Sequence, residues 1–508
     1  MSEIIYRIPQ GVEAKHRGNH LFLRHPAGGW IAVDDYLMNL WQGADGRNLA
    51  ELLAAEPEDI LARTCRRAAL ACLAEAGLLE RESSAKVVRS RPSSREAKVS
   101  AIIVAHNSRE WLPDCLASLA SQTCLPFEIL VVDNASTDGL EDWLPRFCGS
   151  LTSASQIRYI RLPQATSLAN ALNRGMEAAQ GDFFLLLNPD VKLDREAIAR
   201  MVAIAEANPL CAAVAAKLKF LWAPTFLNGV GNFVGAFSWG TDIGIGHLDL
   251  GQFDAQRELP SACFAAVLIP VSIWREVGAL DEHLPLYYED TEWCYRARLK
   301  GYSIYLAADA VVYHAMGSRK PLESEKGLSS TKLRQVVYGR LRFATKLLGS
   351  VNVFRFLSGY WLEDVLNGVA NLLLGRWRKV GAYLTAWTDY IIGLREILAE
   401  RKTIQAQRKI SDATLFHLQR NLPPPLVWRG TPLLTRDMIL YHYLLFILEG
   451  KTRMLPEFQI VSMGEAIRIQ IARRQKSLRR ALDLVRYEGL AGLVQRIWRG
   501  IQGLLMRP

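Results

Sequence analysis

From residue 99 to residue 207 the chain alternates between two hydrophobic patterns. Residues 99–105, 127–132, 157–160 and 183–187 are apolar runs of strand length, while 111–120, 168–179 and 195–207 place apolar residues at helical spacing. Continuous apolar runs mark strands covered on both faces, and strands alternating with amphipathic helices predict a mostly parallel sheet in an α/β fold. Ligands of such sheets bind beyond the carboxyl ends of the strands.

The pattern differs on either side. Before it, HLFLRHPAGGWIAV reads as two short strands about a glycine-containing turn, followed by helical patterns at 35–42, 48–55 and 57–76, a winged-helix-like arrangement. After residue 331 helices dominate, with breaks near Gly349, at 423–425 and near Pro456. SSAKVVRSRPSSREAK, at 83–98, has linker composition. The expected units are 1–82, a linker at 83–97, an α/β domain at 98–325 and a helical region at 326–508.

The length of 508 residues suits two or three domains, and 22% charged residues exclude global disorder. The net charge of +10 predicts a surface that attracts anions. Eight scattered cysteines without a C-x-x-C pair read as core residues of a reduced compartment. No stretch has secretory-signal or membrane-spanning character; the longest apolar runs, at 383–394 and 438–448, are too short or too interrupted. The expected location is the cytoplasm.

Three acidic positions stand where strands end or a helix begins. Asp133, in ILVVDNASTDG, suits either a turn or an acceptor for nucleobase or ribose hydrogen bonds. Asp190, in FFLLLNPDV, is either a turn residue or an oxygen ligand for Mg2+ or Mn2+ on a diphosphate. Glu289 and Asp290, in YYEDTEWCYRARLKGY, either answer a helix dipole or supply a carboxylate that takes the proton of an attacking hydroxyl.

KVSAIIVAHNS, ILVVDNASTDG, LNRG, FFLLLNPDV, AAVLIPVSIWREVGALDE, YYEDTEWCYRARLKGY and DAVVYHAMGS stand in the order and approximate spacing of family 2 glycosyltransferases. The set resembles the rhamnosyltransferase-like branch in particular. That resemblance implies a GT-A fold and inverting transfer of a sugar from a nucleotide-diphosphate sugar donor to a saccharide or lipid-linked acceptor, with a peptide acceptor as the alternative that the N-terminal unit raises. It places Ala105, Asn107 and Asp133 at the nucleobase, Asn188 and Asp190 at the donor diphosphate, and Asp190 and His314 at the metal. Asp290 matches the catalytic base and Glu289 its neighbour in acceptor contact. His106 replaces a common tyrosine, and Phe264 stands where the family usually has glycine, which predicts a reshaped pocket.

FLRHPAGGWIAVDDYLMNLWQGADGRNLAELLA and CLAEAGLLERE resemble a PqqD-like module, which implies peptide capture along a free strand edge near residues 21–23 or 30–33. The alternative is a unit that only packs on the catalytic core or mediates self-association. Arg66 and Arg67 are the obvious basic pair on its last helix, too little for a recognition helix, so nucleic acid is not an expected partner. The end of the chain, SLRRALDLVRYEGLAGLVQRIWRGIQGLLMRP, reads as a basic amphipathic helix suited to peripheral association with the anionic inner face of the cell membrane, or to packing on the catalytic domain.

Overall fold

The computed structural model describes residues 5–17, 20–54, 60–81, 97–149, 156–235, 238–254, 258–316, 329–373, 375–419, 427–428 and 431–434. The predicted linker, but for Ala97, and the predicted basic amphipathic end lie outside the described residues.

The N-terminal unit comprises β1 (Tyr6–Arg7), β2 (Ala14–Arg17), β3 (His20–Arg24), β4 (Trp30–Val33), α1 (Asp35–Ala44), α2 (Leu49–Ala54), α3 (Ile60–Glu75) and β5 (Glu80–Arg81). The helices start where the sequence supplies caps. Asp34 accepts a hydrogen bond from the Leu37 N–H at 2.9 Å, while Asn48 and Glu51 each accept from the other's backbone N–H. The predicted strand pair and three helices are all present.

The α/β domain follows: β6 (Val99–Ala105), α4 (Leu112–Ala120), β7 (Glu128–Asp133), α5 (Leu140–Cys148), β8 (Gln156–Arg161), α6 (Leu168–Ala178), β9 (Phe183–Leu187), β10 (Val191–Leu193) and α7 (Ala197–Ala207). It continues through β11 (Cys211–Phe220), β12 (Ala223–Gly229), β13 (Asn232–Gly235), β14 (Ser238–Asp242), β15 (Glu258–Leu259), β16 (Ala266–Pro270), α8 (Val271–Val277), α9 (Glu289–Leu299) and β17 (Ser303–His314). The strand order is β10-β17-β11-β16-β9-β6-β7-β8. The run β9-β6-β7-β8 is parallel, as the strand and helix alternation predicts. Beyond it β16 pairs antiparallel with both β9 and β11, and β11 pairs parallel with β17. Two apolar layers, one on each face, bury this sheet.

Three long helices, α10 (Ser330–Leu347), α11 (Ser350–Leu373) and α12 (Trp377–Ala406), precede the short α13 (Asp412–Leu415), β18 (Val427–Trp428) and β19 (Thr431–Leu434). Buried charges fasten the helices to the α/β domain. Arg342 of α10 reaches Asp281 at 2.7 Å and Glu400 of α12 at 2.6 Å, and Lys346 reaches Glu292 of α9 at 3.1 Å.

Neither strand edge expected for peptide capture is free. β3 lies between β2 and β4, and β19 pairs in parallel with the outer edge of β4, Leu433 opposite Ala32 and Leu434 opposite Val33. A segment from the far end of the chain fills the edge because an unpaired row of backbone groups is a template for any compatible strand. The unit also shares a core with the α/β domain: Phe220, Trp222, Phe226, Leu248 and Leu250 pack in the same apolar cluster as Leu23, Ile31 and Leu70. Gly29 allows the close approach, its N–H donating to the Trp222 carbonyl at 3.0 Å. A Cβ there would stand 2.4 Å from that oxygen.

Candidate active site

Strand register gathers the sequence-predicted residues along one edge of the sheet. Ala105 pairs with Asp133 across β6 and β7, Leu187 of β9 pairs with Ala266 of β16, and Phe220 of β11 pairs with His314 of β17. Asn188 and Asp190 follow β9 directly, and α9 opens with Glu289 and Asp290.

The backbone is strained here and nowhere else among the described residues. The non-glycine residues with positive φ are Asn107, Ala135, Tyr287, Tyr288 and Met316, all just beyond strand ends or just before α9. Such conformations cost energy and persist where surrounding packing fixes them. Tyr288 (φ 69°) is held by its ring, which lies on Gly339 and near Phe343, and by its hydroxyl, which accepts from the Gly240 N–H at 3.0 Å.

A cavity of about 390 Å³ opens at this edge, within the range of small-molecule sites, and its lining includes Asn188, Asn228, Asn232, Asp242, Phe264, Glu289, Asp290 and His314. The carboxylates differ in setting. Asp290 is half-buried; its Oδ1 accepts from the Thr291 N–H (2.6 Å) and hydroxyl (3.0 Å), and its Oδ2 from Asn232 Nδ2 (2.9 Å). Burial nevertheless raises its pKa above the usual carboxylate range, and these donors offset only part of that. Glu289 is buried, its Oε2 accepts no hydrogen bond among the described residues, and burial together with the Asp290 charge pushes its carboxyl up as well.

Asp242, at the end of β14, is a site residue that sequence reading missed. Burial and the Asp290 charge push it up to about 7. Asn232 and Asn228 were missed too, although both touch predicted residues. The segment from Asn228 to Asp242 carries no local signature, and only the β13-β14 hairpin folds it over the cavity.

Also in the lining, His314 Nδ1 meets Asn228 Oδ1 at 2.7 Å. A proton on Nδ1 for that bond leaves the Nε2 lone pair facing Asp190 Oδ1 at 3.3 Å and Asn188 Nδ2 at 3.2 Å. Two acceptor atoms at that separation repel unless a proton or a cation lies between them. The Asp190 carboxylate is an oxygen donor of the kind that Mg2+ or Mn2+ takes, and the His314 nitrogen beside it favours the transition metal of the two. Another cluster with ligand spacing, His283, Glu396 and Glu400, sits away from the cavity. Its charges are already engaged, Glu400 by Arg342 and Lys346 and Glu396 by His283.

Ala105, Asn107 and Asp133 form a separate group that does not line the cavity. Asp133 is fully buried and well supplied with donors: Ser136 N–H at 2.7 Å, Tyr159 hydroxyl at 2.6 Å and Arg161 at 2.9 Å. Asn107 accepts from the Thr137 N–H at 2.8 Å, tying the loops after β6 and β7 together. Phe264 packs edge-on toward Trp293, centroids 6.2 Å apart, and forms cavity wall. Its backbone hydrogen-bonds Asp290, so the departure from glycine narrows the wall and keeps that bond. All eight cysteines are free thiols. No helix among the described residues is long and apolar enough to cross a membrane.

The chain is similar to known glycosyltransferases. It is 36% identical over 112 residues to a PGL/p-HBAD biosynthesis glycosyltransferase of Mycobacterium bovis, covering 22% of this chain and 43% of that protein. Thus the chain spans less than half the length of such mycobacterial relatives. It is 25% identical over 302 residues to the low-salt glycan biosynthesis hexosyltransferase Agl10 of Haloferax volcanii, covering 58% of this chain and 87% of that protein. Among solved structures, mannosyltransferase PcManGT from Pyrobaculum calidifontis, in complex with GDP-Man and Mn2+, superposes with a TM-score of 0.38 at 14% identity, covering 73% of this chain and 97% of that one. Asp133, Asp190 and Asp242 lie within the matched family region and Glu289, Asp290 and His314 beyond it: residues 100–254 match the model of the family described as Glycosyl transferase family 2, and carry that family's domain.

Proposed function

We propose that the chain is an inverting, Mg2+- or Mn2+-dependent glycosyltransferase of the rhamnosyltransferase-like kind. In this reading it works at the cytoplasmic side of the cell membrane and moves a sugar from a nucleotide-diphosphate sugar to a saccharide or lipid-linked acceptor in cell-surface polysaccharide synthesis. The observation that carries the reading is one cavity lined by both Asp290 and His314, the histidine lying beside Asp190. The roles of the relatives, in PGL/p-HBAD and low-salt glycan biosynthesis, support the acceptor class.

Asp290 takes the proton of the acceptor hydroxyl as that oxygen attacks the anomeric carbon. The bond from that carbon to the diphosphate oxygen breaks on the opposite face, which inverts the configuration. Asn232 and Thr291 hold the carboxylate in one orientation throughout. Asp190 and His314 would hold the divalent ion, whose contribution is to neutralise charge on the leaving diphosphate. Asn228 fixes the His314 ring for that role. The peptide-acceptor alternative would need an edge other than the two expected, since β3 and β4 are each paired on both sides and β2 is the outer strand of that sheet.

The test is a panel of nucleotide sugars with Mn2+ and candidate acceptors, following release of nucleoside diphosphate. Turnover of one donor, abolished in Asp190→Ala, is the expected outcome. Turnover that persists in that variant or in excess chelator removes the metal assignment.

A further inference from the structure

α11 is built with its polarity reversed. Its acids, Glu363 and Asp364, point inward onto the fully buried Arg340, with Glu363 at 2.7 Å, and the Trp387 indole N–H donates to Asp364 at 2.9 Å. Its outer stripe is largely apolar, interrupted at Ser358: Phe354 is 76% exposed, Trp361 57% and Leu373 80%, with Val365 and Val369 between the last two. α12 continues the surface through Trp377, Leu384 and Ile392. A helix facing water puts charge outside and apolar residues inside, and contiguous exposed apolar surface of this extent marks an interaction site.

Charge identifies the occupant. Four of the five acids of the hairpin are ion-paired within the protein, Glu363 and Asp364 with Arg340, Asp389 with Arg334, and Glu400 with Arg342 and Lys346, while the fifth, Glu396, is exposed beside His283. Arg355, Arg376, Arg378 and Arg395 are exposed and have no ion-pair partner among the described residues. Arg376 and Arg378 flank Trp377 at the α11–α12 turn, an aromatic between cations that matches the headgroup level of a bilayer. A second copy docked through the same face would bring two sets of these cations into one interface, with Glu396 as the exposed acid of each hairpin to answer them.

We propose that the outer face of the α11–α12 hairpin docks on an anionic lipid bilayer, lying on its surface. The hairpin is too polar to span, and its apolar stripe with unpaired flanking cations is the pattern of an interfacial anchor. It packs on α10, whose Val336 lines the cavity and whose Gly339 supports Tyr288. Docking therefore holds the site one helix layer from the lipid. The surface is distinct from the basic end of the chain, and the inference does not depend on the sugar-transfer reading.

The test uses the full chain and flotation with vesicles of phosphatidylcholine alone or mixed with phosphatidylglycerol, at low and high salt. The wild type is expected to float with the anionic vesicles, less so at high salt. Val365→Glu combined with Val369→Glu, both on exposed positions, is expected to weaken that partition by about ten-fold or more without lowering the melting temperature. Brominated phospholipid should quench wild-type tryptophan fluorescence, and Trp361→Phe should lose part of that quenching. Unaltered flotation of the double variant would overturn the proposal, as binding would then come from elsewhere in the chain. A lipid-free dimer in sedimentation velocity that the double variant dissolves would overturn it in favour of a second copy. Turnover of a soluble acceptor by the double variant is expected to equal wild type, which separates this outcome from failure of the catalytic reading.

Discussion

Replacing Asp290 with asparagine keeps the shape of the side chain and removes its charge and one acceptor. The present carboxylate takes donors on both oxygens, Thr291 on Oδ1 and Asn232 on Oδ2. An amide must turn its NH2 toward one of them, a mismatch worth about 1–3 kcal/mol. Against this, the substitution removes one charge from a buried pair, since Glu289 is adjacent and both carboxyls are raised. The two effects oppose, so folding stability should change by no more than about 1–2 kcal/mol. Catalysis should change far more. Without a proton acceptor the transfer step loses about 10²–10⁴-fold in kcat, equivalent to about 3–5.5 kcal/mol of barrier. Donor affinity should stay within a few-fold, because Asp190 and His314 are untouched. The assay is release of nucleoside diphosphate with the preferred donor, paired with calorimetric donor binding and a thermal melt. Turnover within ten-fold of wild type in a folded, donor-binding variant would refute the assignment of the base, and loss of donor binding would move Asp290 to the donor site.

His314→Ala should weaken Mn2+-dependent donor binding by about 10–100-fold while leaving any metal-free binding unchanged, as read by calorimetry with and without chelator. Asp242 is raised in part by the Asp290 charge, so it is still protonated where Asp290 ionises. Asp242→Asn should therefore leave the acid limb of the pH–rate profile in place; a limb that moves to lower pH means that Asp242 carries its charge first. Asp242 itself titrates near 7 in the fold and lower in the unfolded chain, so its ionisation costs stability as pH rises. The asparagine variant should accordingly gain on wild type in thermal melts at pH 8 and not at pH 3. Gly29→Val should cost about 1–3 kcal/mol by forcing the N-terminal unit off Trp222, measured by denaturant unfolding. A neutral result would show that this contact yields freely.

The alternation of strands and helices was legible because apolar runs of strand length and helical spacing are local properties, and the parallel core from β6 to β9 follows from them. Asp190, Glu289, Asp290 and His314 were legible as members of an ordered motif set whose elements end at strand termini. Asp133 was visible for the same reason, yet its carboxylate is enclosed by Tyr159 and Arg161, which no strand-end pattern could announce. The joining of Asp190 to His314 needed β17 to run antiparallel beside β10, with Val191 opposite His314, a pairing of segments distant along the chain. The same holds for Asp242, carried to Asp290 by a hairpin without a motif, and for β19, which closes the edge of β4 from the far end of the chain. α11 gives the sharpest case. Its composition fixes that it is an apolar helix with two acids, whereas the buried Arg340 turns those acids inward and sends the tryptophan outward. Sequence sets local conformation through side-chain sterics and spacing; which face is buried depends on what charge and surface the rest of the chain brings against it.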